Sequence, residues 1–360
     1  MSKARGLADL GNVYNDGALS NRNKVINGDM GIDQRNAGAS LTVTVGGDNR
    51  YSVDRFAGSR LSSSTEFTLQ QVADAPVGFV NSLEVTVPTG ATPTGTMLSK
   101  MGTIIEGYDT SSLAWGSADA KDVTLSLWVK SSVTGTFPLA LANSGNVRAY
   151  GATYTISTAD TWEYKTVSIA GDTTGTWLTT SGIGINIIWG LGGTGAARTI
   201  VAGWQDAPSP GSGFGAIAGT VNLTETTGAT LNITGVQLEV GDTATPFEHR
   251  SYGQELALCQ RYYEVLPQGG LLGLSYYTST SAYGPWHFKV DKRGNPSFQT
   301  SAVNACSVLS NGNAANSTAI NFSDITTVSV RVQAVTSGRT AGHSAWADFS
   351  NGYLTADAEL

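Results

Sequence analysis

The sequence predicts an all-β protein, with a jelly-roll β-sandwich, a short helix and a second, smaller β-sandwich domain. Charged residues make up only 14% of the chain, and glycine accounts for 44 of 360 residues. Short alternating segments rich in β-branched residues are separated by Gly-, Thr- and Pro-rich turns. Hydrophobic residues form 40% of the chain, which is enough for real cores and excludes a disordered chain.

The N-terminal residues 1–22 are predicted to form a docking segment and a linker. In KARGLADL, Ala4, Leu7 and Ala8 would share one face of one or two helical turns, and Gly11 would end them. A helix this short is unstable alone, so we expect it to dock on another protein. The segment lacks the apolar stretch of a secretory signal, so we expect the chain to fold in a cytoplasm.

Residues 23–250 are predicted to form the jelly roll. The stretch VTLSLWVK (123–130) alternates, so its Val and Leu side chains share one face while Trp128 and Lys130 fall on the other. The stretches SLEVTV, WEYKTVSI, GIGINIIW and LNITGVQLEV alternate in the same way. Many short strands of this kind, divided by turns, are typical of a sandwich.

The period changes to a helical one in residues 251–265. Ser251 and Gln254 have the spacing of a capping box. One helical stripe follows at i, i+4, i+7 and i+11, formed by Tyr252, Leu256, Cys259 and Tyr263. From 266 to 360 the pattern returns to strands, which predicts a second β domain entered through the helix.

Charge and composition exclude several classes of function. The net charge of −7 argues against nucleic-acid binding and against docking on anionic membranes. No window approaches the ~18 apolar residues of a membrane span, so we expect no membrane insertion. Two cysteines, Cys259 and Cys306, cannot build a disulfide framework, and we expect both to be reduced and buried.

Motif tests predict no cofactor and no metal. Gly190, Gly192 and Gly195 satisfy G-x-G-x-x-G, but no helix pattern or acidic residue follows, so we interpret them as a turn. The histidines His249 and His287 stand far from each other and from His343, outside any metal-ligand spacing. No G-x-S-x-G nucleophile elbow is present.

The charged trio Glu248-His249-Arg250 has two readings, a catalytic centre or a joint between domains. We favour the joint, because perturbed charged groups also arise in structural networks. In this reading Pro246 ends the last strand of the jelly roll, Phe247 turns inward, and the trio pairs across the seam toward the helix.

Aromatic residues supply the candidate glycan-binding sites, because Trp and Tyr rings stack on the C–H faces of sugars. Alternation places the first group, Trp128, Trp162 and Tyr164, on polar strand faces of the jelly roll. SYYTSTSAYGPW has the composition of a recognition loop and supplies a second group in the C-terminal domain: Tyr276, Tyr277, Tyr283 and Trp286. The alternative for the first group is that the second sheet covers its rings, and the alternative for the second group is loop and interface packing.

Several blocks resemble a group of bacteriophage tail-fibre and related virion proteins. NKVINGDMGIDQRN (23–36) is similar to its N-x-x-I-N-G-D-F-x-I-x-Q-R opening, and YSVDRF (51–56) to its Y-x-x-D-R-W. The most specific match is the block at 231–263. FKVDKRGNPS resembles its F-x-x-x-M-R-x-x-P-T but carries Asp-Lys where an apolar residue and Met are usual.

The resemblance implies a virion protein, mounted on the tail or head of the particle, that contacts the host surface. It implies a homotrimer whose first domain is like a carbohydrate-binding module. It also implies that the N-terminal segment anchors the chain to other virion proteins through Ala4, Leu7, Ala8 and Leu10.

Three functions follow as hypotheses. The first is a fibre or spike subunit that binds host cell-surface polysaccharide without breaking a bond, and is therefore not an enzyme. The second is a structural connector or head-decoration subunit. The third is a glycan-degrading tailspike enzyme, although the long β-helix repeats usual in such enzymes are absent from the sequence.

Overall fold

A computed structural model describes most of the chain and divides it into two compact units between Tyr252 and Gly253. The residues described are 21–360, except 47–48, 62–65, 93, 95–96, 195–198, 207–213 and 215. The predicted anchor lies outside the described residues: Ala4, Leu7, Ala8 and Leu10.

The first unit is the predicted jelly-roll sandwich, with strands numbered here in chain order. The six-stranded sheet contains, from edge to edge, β1 (Leu41–Val43), β4 (Phe67–Val72), β5 (Ser82–Thr86), β15 (Thr230–Val240), β7 (Val123–Ser131) and β10 (Glu163–Ile169). The seven-stranded sheet contains β13 (Gly203–Asp206), β9 (Arg148–Ile156), β8 (Gly135–Ala142), β11 (Ile183–Gly193), β6 (Leu98–Glu106), β3 (Phe56–Leu61) and β2 (Arg50–Tyr51). A parallel pair, β12 (Thr199–Ile200) and β14 (Ala216–Ile217), and a short helix, α1 (Gly107–Thr110), complete the unit.

The core of this unit lies between the two sheets, as the alternating pattern predicts. Leu125 and Leu127 on β7 are fully buried, as are Ile187 and Trp189 on β11. Trp189 packs against Phe56 with ring centroids 6.4 Å apart. Each buried side chain of this size stabilises the fold by about 1.5–3 kcal/mol. The polar positions of β7 therefore face outward, which places Trp128 and Lys130 on the outer face of the six-stranded sheet.

The segment that opens the first unit is held by a buried asparagine. The Asn27 side-chain amide donates to the carbonyl oxygens of Ile32 (2.9 Å) and Asp54 (2.8 Å), and its oxygen accepts from the Ile32 N–H. The Asp54 carboxylate in turn accepts from the backbone N–H of Gln34. Asn27 of the N-G-D motif and Asp54 of the D-R motif therefore hold neighbouring stretches of backbone together, which is a structural role.

The second unit is a smaller β-sandwich, also as predicted. Its three-stranded sheet contains β16 (Tyr263–Leu266), β25 (Leu354–Asp357) and β19 (Ser297–Thr300). Its seven-stranded sheet contains β21 (Asn313–Asn316), β20 (Ser307–Ser310), β24 (Ser344–Asp348), β17 (Leu271–Tyr276), β18 (Ser281–His287), β23 (Ser329–Val335) and β22 (Ala319–Ser323). Leu354 and Ala356 of the small sheet share a buried cluster with Leu274, Trp286 and Val332 of the large one.

The linking helix is shorter than predicted. Helix α2 spans Tyr252–Gln260, and the chain enters β16 at Tyr263. The expected apolar stripe is wrong at Tyr252, which is exposed, whereas its members Cys259 and Tyr263 are buried. Gln260, outside the stripe, is buried beside a tertiary contact: the fully buried Lys292 ammonium donates to the Gln260 carbonyl oxygen (2.6 Å) and to Glu264 Oε2 (2.6 Å).

Two smaller expectations are corrected. The last strand of the jelly roll ends at Val240, well before Pro246. Gly190 and Gly192 lie inside β11, which is a strand and not the expected turn, and Gly195 lies outside the described residues. Both cysteines are free and buried, as predicted. Within the part of the chain that the structure describes, the helices are too short or too polar to cross a membrane.

Candidate functional site

The outer face of the six-stranded sheet carries an aromatic platform, which we define as Phe79, Trp128, Trp162 and Tyr164. Trp128 on β7 lies directly opposite Tyr164 on β10, and their ring centroids are 5.4 Å apart at an angle of 49°. Tyr164 is 42% exposed, and the other three rings are half-buried. The structure therefore brings together all three residues that the sequence predicted for this domain.

A glycine at a β-bulge lets the platform rings lie close to the sheet. The register of β15 against β7 shifts after Thr234, and Gly235 has a φ of +61°. A Cβ atom at Gly235 would lie 2.6 Å from Phe79 Cζ and 3.2 Å from Trp128 Cδ1. Any side chain here would be strained and would push both rings away, so the platform needs this glycine.

An ion pair forms one rim of the platform. The Lys130 ammonium hydrogen-bonds to the Asp74 carboxylate and lies 5.5 Å from the centre of the Trp162 ring. The Trp162 indole N–H also donates to Asp74 (3.2 Å). The hydrogen bond from Lys130 lowers the pKa of Asp74; partial burial opposes the change, and the bond from Trp162 assists it. Asp74 is therefore ionised at neutral pH and offers acceptor oxygens beside the rings.

The Trp128 ring of the platform keeps its polar atom available for a ligand. The Trp128 indole N–H has no hydrogen-bond partner within the described ranges of the chain. Beneath the rings, Asn232 Oδ1 and Thr234 Oγ1 are buried on β15 and accept no hydrogen bond from any residue that the structure describes. These two atoms are inaccessible to solvent, so the Trp128 N–H is the group of this set that can contact a hydroxylated ligand.

A second aromatic group in this unit, the tryptophan cluster, consists of Trp115, Trp177 and Trp204. Their ring centroids lie 4.8–5.6 Å apart in edge-to-face contacts. Every indole N–H donates inside the protein: Trp115 to the Lys121 carbonyl, Trp177 to Asp172, and Trp204 to the Ala170 carbonyl. No local sequence pattern predicts this cluster, because its members come from three distant segments.

The tryptophan cluster is locked by an ion pair. Arg148 donates to the buried Asp172 carboxylate from Nε (3.0 Å to Oδ2 and 3.2 Å to Oδ1) and from Nη2 (2.8 Å to Oδ1). Its guanidinium lies 5.5 Å from the Trp204 ring centre. Burial acts to raise the pKa of Asp172, but the hydrogen bonds from Arg148 and Trp177 outweigh it and lower the pKa. The cluster is internally satisfied and partly covered, which is typical of packing.

The Glu248-His249-Arg250 trio ties the two ends of the first unit together. Glu248 accepts from the backbone N–H of Asn21 (2.6 Å) and Asn23 (2.8 Å). Arg250 donates to the Asn23 carbonyl and lies 3.7 Å from Glu248. The His249 ring packs against the platform residue Phe79, with ring centroids 5.3 Å apart. Its part in joining the domains stays a prediction.

In the second unit the predicted aromatic group is split between two faces of one sheet. Tyr277 is exposed and Tyr283 half-buried, with ring centroids 6.2 Å apart, and the Tyr283 hydroxyl accepts from Gln333 (2.9 Å). Tyr276 and Trp286, in contrast, are buried in the core, so neither ring can reach a sugar. We therefore remove Tyr276 and Trp286 from the candidate residues.

Two features bear on other chemistry, the placement of metal-binding side chains and the acid at the platform. Among the described residues, no group of three or more His, Cys, Asp or Glu side chains is placed to hold a metal ion. The acid at the platform, Asp74, is paired with Lys130.

Comparison with known proteins gives structural similarity only. No protein-family model and no curated protein sequence matches the chain. One similar solved structure is the tailspike protein 4 enzymatically active domain of bacteriophage CBA120, with a TM-score of 0.34 and 13% identity over 62% of this chain and 22% of that chain. A second is the family 11 carbohydrate-binding module of Clostridium thermocellum with a mixed-linked tetrasaccharide, with a TM-score of 0.29 and 13% identity over 59% of this chain and 99% of that chain. A third is the N-terminal cellulose-binding domain of Cellulomonas fimi β-1,4-glucanase C, with a TM-score of 0.23 and 14% identity over 48% of this chain and 87% of that chain. The matched part thus spans about a fifth of the tailspike chain. The candidate site rests on this chain's own geometry.

Proposed function

We propose that the protein is a bacteriophage fibre or spike subunit that binds host cell-surface glycan at the aromatic platform without cleaving it. The observation that carries the proposal is the angled, half-exposed pair formed by Trp128 and Tyr164 on the outer face of a sandwich sheet. Such a pair can contact the apolar face of a sugar ring, and aromatic contacts of this kind add about 0.5–1.5 kcal/mol beyond the area they bury.

The polar groups around the rings support a hydroxylated ligand over a purely apolar one. Asp74 offers carboxylate oxygens at the rim, and Trp128 offers an indole N–H. The Lys130 ammonium supplies a cation beside Asp74 and the Trp162 ring. This combination of a flat apolar surface with a few directed polar groups is what small-ligand sites use for orientation and specificity.

The protonation state of the rim supports binding without cleavage. A glycosidase needs one carboxyl group that stays protonated, with a raised pKa, to donate to the leaving oxygen. The pKa of Asp74 is lowered instead, chiefly by the Lys130 ammonium. The acid nearest the rings is therefore unsuited to be a general acid.

The particle-level part of the proposal comes from the sequence resemblance at 23–36, 51–56 and 231–263. It includes a homotrimer, mounted on the virion through the N-terminal segment. Three identical weak sites on one fibre would raise the effective affinity for a repetitive polysaccharide by about 10²–10⁴.

A matched pair of tyrosine variants tests the proposal. Tyr164→Ala removes a platform ring, whereas Tyr108→Ala removes a comparably exposed tyrosine, 58% exposed, from α1 of the same unit. On an array of bacterial capsular and O-antigen glycans, we expect Tyr164→Ala to weaken binding about tenfold, or about 1.4 kcal/mol, and Tyr108→Ala to bind like the parent.

Particles that carry Tyr164→Ala should also adsorb more slowly to host cells than particles that carry Tyr108→Ala. Equal loss in both variants, or no glycan binding by the parent protein, would contradict the proposal. Normal adsorption of the Tyr164→Ala particles would support the structural connector instead.

A further inference from the structure

The large sheet of the second unit presents an exposed tryptophan beside a bare glycine. Trp346, at the centre of β24, is 53% exposed. Gly273 on β17 is its direct partner on one side, and Leu309 on β20 is its partner on the other. The Trp346 indole N–H has no hydrogen-bond partner in the described parts of the chain.

Packing inside the protein does not explain why residue 273 is a glycine. A Cβ atom at Gly58 or Gly102 would lie 2.7 or 2.5 Å from a neighbouring atom, so those strand positions need glycine. A Cβ atom at Gly273 would meet nothing within 4 Å, and the residue has no positive φ. A glycine inside a strand weakens it, and one reason to keep it is close approach by a ligand.

Coverage of the glycine by the neighbouring ring does not explain it either. An aromatic side chain opposite a strand glycine can fold over it and restore the lost stability. Here the space above Gly273 is open to 4 Å, so the Trp346 ring does not fill it. The result is an uncovered stretch of strand backbone beside an exposed indole, which we call the gap.

The gap has a polar row on one side, whereas Leu271, which is 64% exposed and paired with Asp348, lies in the row on its other side. Ser275 and Ser344, which are paired across β17 and β24 in the next row of the sheet, are both exposed. Pro285, also exposed, lies on β18 beyond the glycine. Trp346 and Pro285 stand on strands separated by one intervening strand, so the backbones of their strands lie about 9.6 Å apart. A single sugar ring is narrower than this separation.

Charge favours an uncharged ligand. Asp348 lies two residues from Trp346 along β24, and one of its oxygens already accepts from the Ser350 N–H (3.0 Å). The cation farther along this face, Arg331, is paired with Asp324. The gap is therefore bordered by two hydroxyl groups, one carboxylate and the apolar side chains of Leu271 and Leu309. This mixture suits the hydroxyl groups and C–H faces of a neutral saccharide and disfavours an anionic one.

We infer that the second unit holds a further saccharide-binding site, in which a neutral sugar ring lies on the floor formed by Gly273 and Ser275 and stacks against Trp346. This inference takes its ligand class from the proposed function, but its residues are independent of the platform. The chain would then contact polysaccharide through both of its units.

Filling the gap provides the sharpest test. Gly273→Thr adds a side chain where nothing obstructs it, so the variant should fold with an unchanged or higher melting temperature, because Thr suits a strand better than Gly. The same variant should weaken binding on the glycan array about tenfold. Trp346→Ala should give the same loss, whereas Tyr353→Ala, an exposed tyrosine (46%) on the loop before β25, should bind like the parent.

The outcomes separate this inference from the proposed function. Parent-like binding by Gly273→Thr, while Tyr164→Ala binds weakly, would overturn the second site and leave the platform standing. The reverse pattern would keep the second site and overturn the platform. If light scattering shows that Gly273→Thr and Trp346→Ala separate an oligomer of the parent protein, the face is an interface between copies, and the inference is overturned.

Discussion

The platform and the tryptophan cluster are both aromatic groups of the first unit, each with a cation and an acid, yet they differ in what their polar atoms do. In the cluster, all three indole N–H groups and the Arg148–Asp172 pair are engaged within the protein. On the platform, the Trp128 N–H has no partner in the described residues, and the Asp74 carboxylate is half exposed. We propose that the engagement of polar atoms, rather than the number of rings, separates an aromatic group used for packing from one used for recognition.

The largest expected effect is on stability, from removing a ring of the tryptophan cluster. Trp115 is only 8% exposed and contacts both Trp177 and Trp204, so Trp115→Ala should lower the free energy of unfolding by about 3–5 kcal/mol. Differential scanning calorimetry should show a fall of roughly 10 °C in the melting temperature of the first unit. A fall of less than about 2 °C in the melting temperature would contradict a packing role for Trp115.

The next effect comes from the buried acid of the cluster. Asp172→Asn keeps the shape but loses charge-assisted hydrogen bonds from Arg148 and Trp177, which should lower the free energy of unfolding by about 2–3 kcal/mol at pH 7. Because the pKa of Asp172 is lowered by folding, its contribution is complete above about pH 4 and disappears as pH falls through the folded-state pKa.

Urea unfolding of the parent and the Asp172→Asn variant between pH 2 and 7 checks this sign. The two stability curves should converge at the acid end and separate as pH rises. Curves that stay parallel over the whole range would show that the carboxylate contributes no pH-dependent stability.

The smallest stability effect is expected at the platform rim. The Asp74–Lys130 pair is partly solvent-exposed, and exposed pairs contribute about 0–1 kcal/mol. Asp74→Asn should therefore change the free energy of unfolding by less than about 0.5 kcal/mol. The folded variant should nevertheless bind several-fold less strongly on the glycan array. A loss of stability as large as that of Asp172→Asn would remove the contrast between the two regions.

Strand alternation was sufficient to predict the fold and part of the site. VTLSLWVK and WEYKTVSI assigned Trp128, Trp162 and Tyr164 to outward faces, and the structure groups them on one surface. Phe79 escaped notice because it lies in the irregular segment between β4 and β5, where no period assigns a face. The tryptophan cluster depends on contacts between residues 115, 177 and 204, which no local pattern records.

The wrong predictions of Tyr276 and Trp286 as glycan-binding residues come from ignoring the alternation of side chains along a strand. Tyr283 and Trp286 are three residues apart on β18, so a period of two places them on opposite faces of the sheet. Treating SYYTSTSAYGPW as one recognition loop overlooked that alternation. The same rule would have found Trp346, because SAWAD alternates alanines, which point into the core, with a tryptophan that points out.

The most direct test of the central claim labels the tryptophans with 5-fluorotryptophan and follows their ¹⁹F resonances while the strongest glycan from the array is added. Single Trp→Phe variants assign the resonances. We predict that the Trp128 and Trp162 resonances shift with saturation, while those of Trp115, Trp177 and Trp204 stay in place. Shifts confined to the tryptophan cluster, or no shift at Trp128 when the glycan is bound, would contradict the account.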